Sequence, residues 1–325
     1  MTRVSQFRKR KRNLAAAVLV LALVAVALLA DVLASDLPIL IHRNGVTSFL
    51  PCLFRPAALA GQSNTALRST ATPNDFAIFP LVEWGPEEPD LDADPLSGPS
   101  KKHWLGVDDI GLDVASRLIH GTRVSLAVGL IAVSIYVAIG VLLGALAGFY
   151  GGAIDLLLSR LTEIMLVFPT FFLILTIMGL LERTTIVSVM VVIGLTRWTD
   201  VQRLLRAEVL RIRELDYVQA SRALGASNVR ILWRHVIPNA LAPVFVSATF
   251  GVAGAILLES SLSFLGFGTP PPTASWGALL NQGYEHAADG AWWLTLFPGL
   301  AIFITVTAYN LLGEGLRDAL DPRLK

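Results

Sequence analysis

The chain has 325 residues, of which 54% are hydrophobic and only 16% are charged, and its formal net charge is +1. Soluble domains carry about 25% charged residues, so this composition excludes an ordinary soluble domain and predicts a protein that crosses the membrane several times. The single cysteine, Cys52, excludes an intramolecular disulfide and a zinc cluster made by this chain alone.

The N-terminal segment combines a basic tail with an apolar run. Residues 1–13 contain six basic side chains and no acidic one, and Leu14 to Ala30 are continuously apolar, with the run extending past one aspartate to Ala34. A spanning helix needs about 20 such residues, so we predict a cytoplasmic tail over 1–13 and a first transmembrane helix over 14–35. A cleaved signal peptide is the alternative, but its apolar core is only about 7 to 15 residues long. Both alternatives leave the N-terminus in the cytoplasm.

A polar insertion follows over residues 36–121. It is rich in proline, glycine and serine, and it contains 11 acidic residues against 6 lysines or arginines. The stretch from Glu83 to Asp94 has too little apolar surface to form a core. We therefore predict an extended, partly mobile extracytoplasmic insertion that ends in an amphipathic stretch. Docking of a receptor and a plain spacer are both compatible with this composition.

Five further apolar runs lie in the core domain, residues 122–325. They are Val124–Ile154, Ile164–Leu181, Thr184–Trp198, Asn239–Leu258 and Ala291–Gly313. Pro169 is expected to kink the second of these runs. Together with the first span they predict an all-α membrane protein with about six transmembrane helices and with both termini in the cytoplasm.

Three glycines mark one face of the first run in the core domain. Gly140, Gly144 and Gly148 recur every four residues in a stretch that contains no charge. That spacing places them on one side of a helix, where a second backbone can approach closely. We predict a tightly packed central helix and assign these glycines no role in binding solute.

The polar segment over residues 199–239 interrupts the apolar pattern. Leu205, Val209 and Ile212 recur at helical spacing, Gly225 is a natural helix C-terminus, and Ser227 can cap a second helix that Pro238 is expected to stop. From 197 to 235 there are 8 arginines against 4 acidic residues, which favours the cytoplasmic side. The pattern predicts two short helices joined by a glycine turn.

The exposed polar segment is open to three interpretations. It can be a solvated loop beside the membrane, because most charged stretches are. A DNA-binding helix-turn-helix is disfavoured, since Asp200, Glu208, Glu214 and Asp216 interrupt the basic face, and we expect no nucleic-acid partner. The third interpretation is a docking site for a partner protein.

Two motifs resemble those of a known family. Gln219-Ala220-Ser221, with Gly225 four residues after Ser221 and Pro238 thirteen after Gly225, resembles the "EAA" loop of ABC-importer permeases, and the string from Tyr217 to Asn239 is similar to its dipeptide/oligopeptide branch. Gln219 stands where that pattern often has glutamate, and Ser221 stands for its second alanine.

The second motif precedes the core domain. His103-Trp-Leu-Gly-Val-Asp-Asp-Ile-Gly-Leu-Asp113 is similar to the "H-x-L-G-T-D-x-x-G-R-D" stretch of the same branch. Val107 replaces its threonine and Leu112 its arginine, so no salt bridge of that arginine is carried over. The resemblance covers about residues 100 to 325.

The resemblance implies a MetI-like type I importer permease in a bacterial-type inner membrane. It implies a second homologous permease subunit, two ATPase subunits that bind ATP and Mg, and an extracytoplasmic solute-binding protein that delivers peptides or peptide-like solutes. It implies no cofactor in this chain. The residues that it assigns to ATPase coupling are Tyr217, Gln219, Ala220, Ser221, Ala223, Leu224, Gly225, Ala226, Ser227, His235 and Pro238.

Glu259 lies at the outer end of the fifth span, beside Ser260 and Ser263. A carboxylate next to a long apolar run either faces a water-filled cavity or a partner, which would suit a pathway for polar solutes, or is solvated at the membrane interface. We leave both settings open and name these three residues as candidates for lining the pathway.

Energy for uphill transport must come from outside this chain. The sequence contains no phosphate-binding loop, no H-E-x-x-H motif and no nucleophile elbow, so we do not expect an enzyme. An ion-driven transporter is the first alternative, but it would need ionisable residues near mid-membrane, and Asp31 and Glu259 both lie near the ends of predicted spans. A membrane scaffold without transport is the second.

Overall fold

The computed structural model describes residues 11–43, 45–268 and 272–320. Residues 1–10 of the predicted basic tail, 269–271 of the predicted outer loop and 321–325 of the C-terminal tail lie outside this description. The chain divides into two compact units, which are described separately: Met1–Leu19, Val128–Leu258 and Val306–Lys325 form the first, and Val20–Ala127 and Glu259–Thr305 form the second.

The elements follow one another in chain order. They are α1 Lys11–Leu28, α2 Ala30–Leu33, β1 Leu40–Arg43, β2 Val46–Phe49, α3 Pro51–Phe54, α4 Asn64–Ser69, β3 Phe76–Ile78, α5 Val114–Tyr150, α6 Gly152–Val167, α7 Thr170–Leu180, α8 Ile186–Thr196, α9 Trp198–Ile212, α10 Asp216–Ala223, α11 Asn228–Ile231, α12 Ile237–Phe264, α13 Trp276–Glu285 and α14 Trp293–Leu320.

Within the described residues, four helices are long and apolar enough to cross a membrane. They are α1, α5, α14 and the continuous helix Asn228–Phe264, and the bent pair α6 and α7 can supply a fifth span. The all-α membrane architecture is confirmed, with fewer continuous spans than the six predicted. The predicted span from Thr184 to Trp198 contains only the 11 residues of α8. Its length of about 17 Å covers roughly half of a hydrocarbon core.

Helix α5 begins ten residues before the predicted start of its apolar run. Asp113 caps it, because its Oδ1 accepts a hydrogen bond from the Ser116 N–H at 2.7 Å. The expected amphipathic stretch is therefore the first part of α5. The helix ends where Gly151 and Gly152 adopt φ values of +65° and +55°, in the region that favours glycine.

In the first unit, α5 packs against α9 along the predicted glycine face. A Cβ atom at Gly140 would lie 2.6 Å from Val201 Cβ, one at Gly144 2.6 Å from the Gln202 carbonyl oxygen, and one at Gly148 2.8 Å from the Arg206 carbonyl oxygen. These distances leave no room for a side chain. The predicted close backbone approach at all three glycines is confirmed.

Pro169 separates α6 from α7, and the two helices are bent by 81° at this break. Phe168, the residue before the proline, is extended, with φ −90° and ψ 124°. The clash between a proline ring and the preceding residue disfavours helical geometry at that residue. The expected kink is therefore a sharp corner.

Pro238 does not stop its helix, and that expectation is wrong. Helix α11 continues through a π-helical turn, Leu232–Val236, directly into α12, where Pro238 is the second residue. A proline is tolerated in the first turn of a helix, because the N–H that it lacks has no intrahelical partner there. The π-helical turn starts a new hydrogen-bond register just before it.

The second unit contains a small antiparallel sheet with strand order β2-β1-β3. Leu40 pairs with Phe49 on one side and with Ile78 on the other. Leu37, Ile41, Leu59 and Leu67 form a buried cluster. This part of the insertion is folded rather than extended as expected, because four apolar side chains drawn from separate segments suffice to close a small core.

Candidate functional site

Helix α10 and the turn after it, residues 216–227, are called the coupling segment below. The Ala226 N–H donates to the Ser221 carbonyl at 3.1 Å and the Gly225 N–H to the Arg222 carbonyl at 3.0 Å. These two bonds form a Schellman motif, which needs a residue with positive φ, and Gly225 has φ +79°. Ser227 then caps α11 by accepting from the Arg230 N–H. The predicted glycine turn and serine cap are confirmed.

One side of the coupling segment is exposed. Leu224 is 88% exposed, Tyr217 is 42% exposed, and no atom lies within 4 Å of the Cβ position of Gly225. Most of the predicted coupling residues share this exposure, whereas Ser221, Ala226 and His235 are half-buried. The exposed ones are Tyr217, Gln219, Ala220, Ala223, Leu224, Gly225, Ser227 and Pro238. A fully exposed leucine beside an open glycine turn is a surface that a partner can cover.

The other side of the coupling segment is anchored to the first unit. Val218 is fully buried, although the sequence analysis did not select it. Arg213, just before the segment, donates from Nη1 to the Gly148 carbonyl at 2.8 Å. Gln219 donates to the Arg213 carbonyl at 3.0 Å, and the Arg222 guanidinium lies 6.0 Å from the ring centroid of Phe149. The segment is therefore tied to the end of α5.

His235 and Pro238 lie apart from the exposed turn. His235 is in the π-helical turn, and its carbonyl accepts a hydrogen bond from the Asn239 side chain at 2.7 Å. Both residues thus belong to the helical connection that leads from α11 into α12.

Glu259 faces partner side chains and is not solvated at a membrane interface. The side chain is 2% exposed, and its carboxylate accepts hydrogen bonds from the hydroxyls of Ser263 at 2.8 Å, Ser125 at 3.3 Å and Ser260 at 3.4 Å. The Ser275 hydroxyl, which caps α13, also contacts it. The carboxylate therefore joins α5, α12 and α13 within the second unit. Ser260 and Ser263 are each only 5% exposed, so they serve this junction rather than a surface.

Sequence reasoning missed a buried histidine between two carboxylates in the second unit. His103 Nδ1 lies 2.8 Å from Asp113 Oδ2, and its Nε2 lies 3.0 Å from Asp90 Oδ2. Lys102 pairs with the same Asp90 oxygen. Burial alone lowers the pKa of His103, but the hydrogen bonds and charges of Asp113 and Asp90 outweigh it, and the pKa is raised above its ordinary value. The imidazole joins the insertion to the start of α5.

A second buried ion pair lies beside this histidine. Arg117 Nη1 contacts Asp108 Oδ2 and donates to Gln282 Oε1 at 2.7 Å. Asp108 Oδ1 accepts from the Leu112 N–H at 2.8 Å. The short motif from His103 to Asp113 is thus a polar core rather than an acid/base site. Within the described ranges, no group of histidine, cysteine and acidic residues is arranged to hold a metal ion.

The long apolar helices place the chain in the class of multi-pass helical membrane proteins. The sequence from residue 140 to 325 matches the family described as "Binding-protein-dependent transport system inner membrane component", and the chain belongs to this family. It is thus a multi-pass inner-membrane permease subunit of an ABC importer. This assignment selects the importer permease over the ion-driven transporter and the scaffold.

Curated relatives include permeases of peptide transport systems. The chain is 41% identical over 230 residues to "Dipeptide transport system permease protein DppC" of Alkalihalophilus pseudofirmus, which covers 71% of this chain and 75% of the relative. It is 40% identical over 228 residues to "Glutathione transport system permease protein GsiD" of Pectobacterium atrosepticum, with coverage of 70% of this chain and 75% of the relative. Among solved structures, an inward-facing "MetNI methionine ABC transporter" is similar over 63% of this chain and 97% of its own, with 19% identity and a TM-score of 0.49.

Proposed function

We propose that this chain forms one half of the translocation pathway of a peptide importer and receives its driving force through the coupling segment. Its partners are a second homologous permease, two ATPase subunits and an extracytoplasmic binding protein. ATP and Mg bind to the ATPases, so this chain needs no cofactor and hydrolyses nothing itself. The observation that carries the proposal is the 88% exposure of Leu224 on a segment whose opposite side, at Val218, is fully buried.

The coupling segment can transmit a movement of the ATPase subunits to the membrane helices. Its exposed turn fits a groove on an ATPase subunit, and its buried side is tied to α5 through Arg213 and Gly148. Closure of the ATPases therefore moves α10 and the end of α5 together as a rigid body. Glu259 and its serines hold the outer helix ends together, and we assign them this role in place of pathway lining.

The orientation follows from charge. The stretch from 203 to 235 carries 7 arginines against 3 acidic residues, which favours the cytoplasmic side for the coupling segment. Both termini then lie in the cytoplasm and the small sheet lies outside. The names of the relatives, which specify dipeptide and glutathione transport, favour short peptides or peptide-like solutes as cargo.

Two substitutions at Gly225 test the coupling role. Gly225→Asn preserves access to the left-handed backbone region, whereas Gly225→Val cannot adopt φ +79° without strain. In a complete transporter reconstituted in vesicles, we expect Gly225→Val to abolish uptake and to uncouple ATP hydrolysis while the permease pair still assembles. Gly225→Asn should retain more activity. Normal uptake by Gly225→Val, or uptake by this chain without any ATPase, would refute the proposal.

A further inference from the structure

Arg197 lies at the C-terminal end of a short apolar helix. It directly follows α8, an apolar helix of only 11 residues. At about 1.5 Å per residue this helix rises about 17 Å, whereas the hydrocarbon core is about 30 Å thick. Because the exposed charges of Glu182 and Arg183, just before α8, mark one face of the membrane, this length puts Arg197 roughly halfway across.

The packing of α9 against α5 supports the same depth. Val201, one turn beyond Arg197, lies beside Gly140. From Gly140, α5 continues uncharged to Tyr150 for about ten more residues, or roughly 15 Å. The two helices run in the same direction here, so Arg197 lies about one turn farther from Tyr150 than Gly140 does.

Among the described residues, no carboxylate lies within ion-pair distance of the Arg197 guanidinium. A Cβ atom at Gly254 would lie 2.9 Å from Arg197 Nη1, so the guanidinium rests against the α12 backbone at a residue that leaves room for it. The charges of Arg197 and Asp200 both act on the hydroxyl of Tyr136. In the part of the chain that the structure describes, Arg197 nevertheless makes no ion pair or hydrogen bond, and its side chain is only half-buried.

A guanidinium at this depth cannot face lipid at low cost. Charged residues inside spans face a water-filled route or a partner group, and they mark pathways for substrates. The planar fork of arginine matches a carboxylate with two parallel hydrogen bonds. The exposed part of the Arg197 guanidinium is therefore suited to bind a carboxylate.

We propose that Arg197 is a carboxylate-binding point on the wall of the translocation pathway, where it contacts the carboxylate of a passing solute. This inference rests on the proposed function, because short peptides and peptide-like solutes carry such a group. Arg197 would then determine specificity for the solute. It is not among the residues predicted for coupling or for lining the pathway.

The test uses the complete transporter, with both permeases, the ATPases and the binding protein, in vesicles. Uptake of a dipeptide is measured for the wild type, Arg197→Gln, Arg197→Lys and the control Arg203→Gln, which removes an exposed arginine from the same helix. Because charge-assisted hydrogen bonds are strong, we expect at least about a tenfold loss for Arg197→Gln, a smaller loss for Arg197→Lys and less than about a twofold change for the control.

A labelling arm identifies the source of the carboxylate. An Arg197→Cys variant is prepared with Cys52→Ser, and its reaction with a water-soluble thiol reagent is followed in the assembled transporter. We expect labelling, and we expect dipeptide to slow it. No labelling, no protection, or unchanged uptake by Arg197→Gln overturns the inference. Loss of assembly or of basal ATP hydrolysis by Arg197→Gln also overturns it, because the carboxylate then belongs to a companion subunit. Failure of the wild type to take up dipeptides counts instead against the proposed function.

Discussion

Truncating Leu224 to alanine separates docking on a partner from folding of the chain. The side chain is 88% exposed, so its loss should change the free energy of unfolding by no more than about 0.5 kcal/mol. If an ATPase subunit covers Leu224, the substitution removes three buried carbon atoms at about 0.8 kcal/mol each, or about 2.4 kcal/mol in total. That difference corresponds to a roughly 60-fold higher dissociation constant.

The assay is a titration of the detergent-solubilised permease pair with the purified ATPase, together with ATP hydrolysis stimulated by the loaded binding protein. Leu91→Ala is a matched control, because Leu91 is 91% exposed in the insertion, which we place on the opposite side of the membrane. We expect weaker binding and lost stimulation for Leu224→Ala alone. An unchanged dissociation constant, or an equal loss for Leu91→Ala, refutes the docking surface.

Three further substitutions test the packing of the chain. The raised pKa of His103 means that its contacts with Asp90 and Asp113 stabilise the fold fully below about pH 6.5 and are lost as pH rises through the raised value. The protection factors of the amides around these contacts, which are exchange rates corrected for intrinsic base catalysis, should therefore be lower at pH 9 than at pH 6. His103→Gln should remove that difference in protection. Glu259→Leu leaves hydroxyls without their acceptor and should lower the free energy of unfolding by about 1 to 3 kcal/mol more than Glu259→Gln, as chemical denaturation would show; equal stability would contradict the hydrogen-bonded junction. Gly144→Ala should cost about 1 to 3 kcal/mol in the same assay, since its Cβ would lie 2.6 Å from a carbonyl oxygen, and a neutral effect would contradict the close approach.

Local sequence rules predicted the parts of this fold that depend on one segment. Long uncharged runs predicted the membrane helices, the four-residue spacing of glycines predicted the contact of α5 with α9, and Gly225 with Ser227 predicted the turn of the coupling segment. In each case the property that determines the structure is a pattern of residue types within one short segment.

Features that depend on tertiary contacts could not be predicted in this way. The strands of the insertion have only three or four residues, which is too short for a clear alternation. His103 lies 10 and 13 residues from its two carboxylates, and only the folded chain brings the three together. The prediction that Pro238 ends a helix used the rule for a proline inside a helix. The π-helical turn just before Pro238 changes the hydrogen-bond register, so that rule does not apply there.

The contact of α5 with α9 has a mechanical consequence. At Gly140, Gly144 and Gly148 the two helices touch with no side chain on α5 between them, so no rotamer change is available at these points to absorb movement. The two helices are therefore expected to move together along this contact. A small displacement of α9 would be passed on to α5.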